Sequence, residues 1–561
     1  MSSVKKKLGL FISVLLVVLL IVGCSKSEKE VDQKGTTDTK TPVSTTDGKP
    51  STSEAITFKI NTTDPKASWD TPISKKLTEK TGVSFEYIPI IGGTDFAQQK
   101  YDLWLASGDY PEVLSLQPRF LGKYRDAGAL MPLEDLIEQY GPNIKKKFGK
   151  FYNLLKDTDG HIYSLYNVQT ATETPANTQA NFAIQYEVLK EAGYPEIKTL
   201  DQLYDVLFEY YKKHPTIDGQ PTIPFSGIGS NFVYNNPSLS AGGQPDHGNF
   251  IIDSQNQVHL NLVSDNSKKY YQFLNKLYAE HLLDKEIFTL TYDTAPSKIA
   301  QGRILAGYYP EWFLSAPESS IKSSGKLNRQ YAKLPILFDA NVEDHSNAFT
   351  PTWSNNNWAI SKNNKHPERV IQFIDYLFTD EGQKLISWGI EGVDYEIKAG
   401  KRFRSDEIIQ KMTADPDYNW KQGLGNNYNR FSFGNGAKLD DGDYATPLTK
   451  EYMIRGYDDV TKEVLAAYKK DTWADFLPPL EYVPSFLWQI PEPEGAAALS
   501  KRIQQIWDRE SPKLVMSKNF DSDWENYKKL IESSGQSELE AMYTKSWKVV
   551  VDEYNKAIGQ K

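Results

Sequence analysis

Cysteine is nearly absent: it occurs once in 561 residues, at Cys24. A chain with one thiol forms no internal disulfide and no zinc-thiolate cluster, so its stability rests on burial alone, which a chain this long supplies. Histidine is scarce as well, at seven residues. None of His161, His214, His247, His259, His281, His345 and His366 stands in an H-E-x-x-H or in a close pair suited to zinc. A G-x-S-x-G elbow and a G-x-x-x-x-G-K-[ST] phosphate loop are missing, and Gly227-Ile228-Gly229 lacks the third glycine of a dinucleotide fingerprint. Asp246-His247 and Asp344-His345 are neighbours in sequence only, which does not make a relay. The chain is short of positive charge too, with 64 Lys and Arg against 73 Asp and Glu. That balance argues against general nucleic-acid binding, which uses clustered basic residues. So many acids leave a glycosidase-type carboxylate pair open to counting, but no spacing singles one out.

Long apolar runs are absent except for one. Leu8 to Val22 is 15 residues of almost wholly apolar chain behind Lys5, Lys6 and Lys7. It is short for a helix crossing ~30 Å of hydrocarbon, and its order is that of a secretory signal. Ile21-Val22-Gly23-Cys24 resembles the lipobox of bacterial lipoproteins. The resemblance implies that residues 1–23 are a signal peptide and that Cys24 receives a diacylglycerol. A lipid anchor on the extracellular face of the cell membrane then holds the mature chain. The alternative is an ordinary signal peptide that happens to contain a thiol. Residues 24–55 carry hardly an apolar side chain and read as a flexible tether.

Aromatic residues are plentiful: 33 Tyr, 25 Phe and 12 Trp. Many belong in cores, but Tyr and Trp also offer faces on which sugars and other flat ligands stack. Ordered structure begins with the alternating Ile56-Thr57-Phe58-Lys59-Ile60. A helix over 72–81, capped by Asp70, a strand over 83–89, a helix over 96–106 and a strand over 112–116 follow. This alternation predicts a parallel α/β sheet. Leu130 to Ile137 starts a helix, and Ile162 to Leu165 reads as a strand. Thr199-Leu200-Asp201-Gln202 fits a capping box ahead of Leu203, Val206, Leu207 and Tyr210 on one helical face. Further helices are expected over 267–280, from Pro367, over 380–388 and through the tail from 494 to 558. Residues 396–445, polar and rich in Gly and Asn, read as an insertion.

Several stretches in order resemble the family 1 extracellular solute-binding proteins of ABC importers. They are Thr78-Glu79-Lys80-Thr81-Gly82-Val83, Leu105 to Val113, Gly128-Ala129-Leu130-Met131-Pro132-Leu133 and Ala300 to Gly307. The more specific set is Trp358-Ala359-Ile360-Ser361-Lys362-Asn363, Lys365-His366-Pro367-Glu368, Asp380-Glu381-Gly382 and Trp388 to Tyr395. The resemblance covers roughly 56–395. It implies an α/β fold of two discontinuous, periplasmic-binding-protein-like lobes and a hinge, with lobe 1 over 56–168 and 338–395 and lobe 2 over 169–337 and 396–561. It further implies a monomer that is not an enzyme, binds a carbohydrate between the lobes without a cofactor, and meets permease subunits encoded as separate chains. A surface polysaccharide hydrolase or lyase, and a receptor presenting ligand to a sensor kinase, are the rival readings.

The same resemblance nominates ligand-binding residues. Tyr308 and Trp312 lie in a segment matching the family's cleft tryptophan. Arg119 follows a lobe 1 strand where relatives use a polar pair whose acid is replaced here by Pro118. Trp69 and Asp70 follow the first strand, Trp353 lies near the second crossover, and Glu391 and Tyr395 lie near the third. Some relatives hold calcium in an acidic loop, but Pro215 to Pro221 offers only Asp218. Asp157-Thr158-Asp159-Gly160 reads as a turn and Asp440-Asp441-Gly442-Asp443 as a solvated loop, so no metal is expected.

Overall fold

The computed structural model describes residues 54–90, 93–171 and 180–560; Cys24 and the apolar run lie outside them. Two main sheets hold β1 (Ile56–Thr62), β2 (Val83–Pro89), β3 (Val113–Leu116), β4 (Ser164–Val168), β5 (Ala180–Gln185), β6 (Ile223–Ser226), β7 (Ile304–Pro310), β8 (Tyr331–Leu334) and β9 (Thr352–Ile360). Their orders are β2-β1-β3-β9-β4 and β8-β5-β7-β6.

Alternation sets β1, where Phe58 and Ile60 are buried and Thr57 and Lys59 exposed. β1 is parallel to β2 from Ile56 opposite Val83 to Thr62 opposite Pro89, and parallel to β3. Between them, helix Pro72–Thr81 is capped by Thr71, whose side chain accepts from Ser74 N. Asp70, the expected cap, is instead exposed and pairs with Lys75 at 2.6 Å. The capping box at Thr199 and Gln202 is present as expected.

The first sheet is mixed rather than parallel, because β9 runs antiparallel between β3 and β4. The route of the chain explains this. β3 and β4 both oppose β9, so they end on one edge of the sheet. The chain leaves that carboxyl edge at Val168 and enters the second sheet at Ala180, which lies opposite Pro310 at the end of β7. It leaves again at Leu334, on the edge where β7 ends, and returns at Thr352 opposite Val168. A strand entering from the carboxyl edge must run backwards. Both crossovers thus join carboxyl edge to carboxyl edge, and carboxyl edges are the usual place for a ligand in an open α/β sheet.

Residues 396–561, expected together in lobe 2, divide between the lobes. Tyr428, Phe431, Phe433, Ala437, Leu439 and Ala445 bury themselves in the core of the first sheet with Phe58, Trp358 and Phe373. Gly423 (φ 100°) makes that docking possible: a Cβ there would lie 2.4 Å from the Tyr428 hydroxyl and 2.5 Å from Thr71 Oγ1. From Val464 onward, Trp473, Trp507, Trp524 and Trp547 join the core of the second sheet. The tail is helical as expected, over Ala496–Val515, Phe520–Glu532 and Gln536–Ile558. No helix among the described residues is long and apolar enough to cross a membrane.

Candidate functional site

On the carboxyl edge of the second sheet, β7 runs straight into helix Glu311–Ser323 through Pro310, whose extended backbone starts the helix. Trp312 therefore stands in the first turn, and it is 66 % exposed. Its ring lies nearly parallel to Tyr292, with centroids 6.2 Å apart and planes at 25°, and takes the edge of Phe232 at 6.2 Å. Tyr292 is itself 43 % exposed. Gly229, after β6, lets this ring sit close, since a Cβ would lie 3.3 Å from it. Two large aromatic faces left open side by side make a stacking surface rather than a core. Glu311, next to Trp312, pairs with Lys333 at 3.1 Å.

The carboxyl edge of the first sheet is polar. Asn61, in β1, donates to Ser115 O at 2.8 Å and to the Tyr101 hydroxyl at 3.1 Å, and accepts from Ser115 N at 2.8 Å. This network ties the end of β1 to β3. Arg119 then opens helix Pro118–Asp126 with its guanidinium over the Phe120 ring at 4.5 Å. Two residues beyond β1, Asp64 faces Arg430 at 3.9 Å. Burial holds the Asp64 carboxyl above its usual pKa, with Arg430 acting against the rise. Asn427, three residues before Arg430, donates to Asn61 O at 3.2 Å and accepts from Thr62 Oγ1 at 3.3 Å. The 396–445 segment is thereby pinned beside the end of β1.

The structure brings Trp312 and Arg119 to the carboxyl edges of the two sheets. Trp353 lies where the lobes meet, with its ring edge-on to Trp488 at 5.3 Å, and Trp488 Nε1 donates to Asp246 O at 2.9 Å. The other nominated residues are committed elsewhere. Tyr308 is buried in β7, where its ring meets Phe182 at 5.1 Å and its hydroxyl donates to Ala180 O at 3.2 Å. Trp69 packs between Phe85 at 5.0 Å and Tyr428 at 5.7 Å and donates to Thr78 Oγ1 at 2.9 Å. Glu391 and Tyr395 bridge to each other in a turn closed by Asp394, and Tyr395 packs on Trp388 at 5.7 Å. Asp64, Phe232, Tyr292, Asn427 and Arg430 escaped the sequence reading. Only Asp64 carried a signal, in the polar Thr62-Thr63-Asp64 that ends β1.

Among the described residues, no three or more His, Cys, Asp or Glu side chains gather as metal ligands do. Asp218 accepts from Arg329 at 2.6 and 3.0 Å and from Lys326 at 2.9 Å, which holds its carboxyl well below the usual range. The 440–443 loop is not merely solvated, because Asp441 accepts from buried Arg402 at 2.6 and 3.2 Å. His247 is buried, and its Nδ1 accepts from Leu487 N at 3.3 Å rather than relaying a proton with Asp246.

Two mixed α/β lobes joined carboxyl edge to carboxyl edge, one edge aromatic and one polar, have the build of a solute-binding protein. The model of the bacterial extracellular solute-binding protein family matches residues 59–384, and the chain belongs to that family. It is a solute-binding protein, not an enzyme. The fructooligosaccharide ABC transporter substrate-binding protein FusA of Streptococcus pneumoniae is 24 % identical over 504 residues, 86 % of this chain and 87 % of that protein. Lipoprotein LipO of Bacillus subtilis is 23 % identical over 408 residues, 69 % of this chain and 73 % of its own length. The structure of FusA with kestose matches with a TM-score of 0.64 at 21 % identity, covering 89 % of this chain and 100 % of that one.

Proposed function

We propose that this protein is the lipid-anchored solute-binding subunit of an ABC importer, and that its solute is an oligosaccharide. The observation that carries the reading is the open Trp312–Tyr292 surface at the carboxyl edge of one sheet, taken with the hydrogen-bonding groups at the carboxyl edge of the other. Sugars present apolar ring faces and hydroxyl edges, and this pairing suits both. Stacking on each aromatic contributes ~0.5–1.5 kcal/mol, and Arg119, Asp64 and Arg430 exchange hydrogen bonds with hydroxyls as the lobes close. The name of FusA, a fructooligosaccharide transporter's binding protein, supports the substrate class. The segment around Cys24 and the likeness to Lipoprotein LipO support the anchor.

A thermal-shift screen against neutral and acidic oligosaccharides tests the reading. A ligand at about 100 times its Kd stabilises the folded protein by ~2.7 kcal/mol, a clear upward shift. A flat response across such a panel, with shifts for an amino acid or peptide instead, would overturn it.

A further inference from the structure

Arg430 lies outside the stretch that matches the family model, 59–384, yet it faces Asp64 at the mouth of β1. The Asn427 bonds to Asn61 and Thr62 hold it there, as do those of Asn426, which donates to Ser68 O at 2.8 Å and accepts from Ser68 N at 3.3 Å. We infer that the cleft selects an uncharged oligosaccharide over an acidic one, and that Asp64 and Arg430 set this preference; the inference rests on the oligosaccharide reading above.

The argument is one of charge and of donor count. A uronate is held by guanidinium or ammonium groups whose charge is not already neutralised. Cations at these edges are matched by acids. Arg430 faces Asp64, Lys66 lies 2.5 Å from Asp417, and Lys333 is buried between Glu311 and Glu318 at 3.1 Å from each. Arg119 is within electrostatic reach of Glu492. A sugar carboxylate brought to the end of β1 meets Asp64 as a like charge before it gains anything from Arg430. A hydroxyl has no such conflict, because it donates and accepts. Neighbouring hydroxyls on one ring suit a carboxylate and a guanidinium 3.9 Å apart, giving a proton to one and accepting from the other.

The full chain, purified in detergent, is titrated calorimetrically with maltotetraose, mannotetraose and nystose, and with tetragalacturonate and tetramannuronate. At least one neutral sugar should bind tenfold or more tightly than either uronate, roughly the factor a conflicting charge imposes, and added salt should change its affinity little. Asp64→Asn should weaken the neutral sugar about tenfold while strengthening the uronates, a crossing that loss of structure does not produce. Arg430→Lys, which keeps the charge and loses the fork, should weaken the neutral sugar and preserve the order. Uronates binding as tightly as the neutral sugars would overturn the inference and leave the oligosaccharide reading standing. A panel in which nothing binds would overturn both.

Discussion

Trp312→Ala separates a ligand platform from a packing residue. Trp312 is 66 % exposed, and its contacts among the described aromatics are to Tyr292, Phe232 and Phe313. Aromatic pairs contribute ~0.5–1.5 kcal/mol each when well packed, and exposure reduces that, so truncation should cost the free protein only about 1 kcal/mol. A buried tryptophan behaves differently. Trp507 is 1 % exposed and donates to the Tyr271 hydroxyl at 2.9 Å, so Trp507→Ala should cost ~3–5 kcal/mol. Binding should show the opposite order. Losing one stacking face should weaken the best oligosaccharide about tenfold, or about 1.4 kcal/mol, in Trp312→Ala. Refolded Trp507→Ala should bind normally. Chemical denaturation of the free protein and calorimetric titration of each variant give both numbers. If Trp312→Ala loses stability as Trp507→Ala does and keeps its affinity, the aromatic surface is structural and the argument fails.

Other expectations follow from burial and charge. Burial pushes the His247 imidazole down to about 3 from its ordinary 6.5, so it stays neutral in the fold while the unfolded chain takes up a proton below about 6.5. Its contribution is therefore complete above pH 6.5 and declines by roughly 1.4 kcal/mol per unit as pH falls from there toward 3. His247→Asn, whose amide oxygen can accept from Leu487 N, should flatten that decline in urea midpoints; parallel curves for the two proteins would refute the assignment. Phe431→Ala, at a site 1 % exposed beside Trp358 at 5.2 Å, should cost ~3–5 kcal/mol if the 396–445 segment is part of the first lobe, and a nearly unchanged midpoint would make it an appendage. Cys24→Ala should shift the protein from the membrane fraction to the medium or leave it unprocessed. Retention at the processed mass would rule out the anchor.

Local signals carried much of the fold. The alternation in β1, Pro72 and Gly82 around the first helix, and the Thr199 capping box each depend on residues within a few positions, so one sequence suffices to read them. The error at Asp70 was of the same local kind, since Asp70 and Thr71 are both good caps and only the backbone chooses between them. What stayed hidden was long-range. Nothing between Val113 and Val168 announces that a strand from Thr352–Ile360 will slip between β3 and β4, because its partners lie 184 to 247 residues away and the pattern of β9 fits either direction. The 396–445 segment was misplaced for a related reason: its Gly- and Asn-rich composition looks like a loop, while Tyr428, Phe431 and Phe433 are spaced to fill a core already built by the first sheet.

The site followed the same division. Trp312 and Arg119 were legible because each follows a strand directly, so position along the chain fixed position on the edge. Tyr308 failed by the strand's own arithmetic. Trp312 is past the end of β7 and free of its pleat, whereas Tyr308, still inside the strand, must point to one face or the other, and its face is the one packed on Phe182. The partners of the proposed site residues come from elsewhere in the sequence: Tyr292 reaches Trp312 from the loop before helix Ala295–Ala300, and Arg430 reaches Asp64 from across 366 positions. Stacking on Trp312 alone would accept any ring. In the proposed reading it is the distant pairing of a carboxylate with a guanidinium that asks for hydroxyls, so the part of that site that would decide the ligand is the part that only folding assembles.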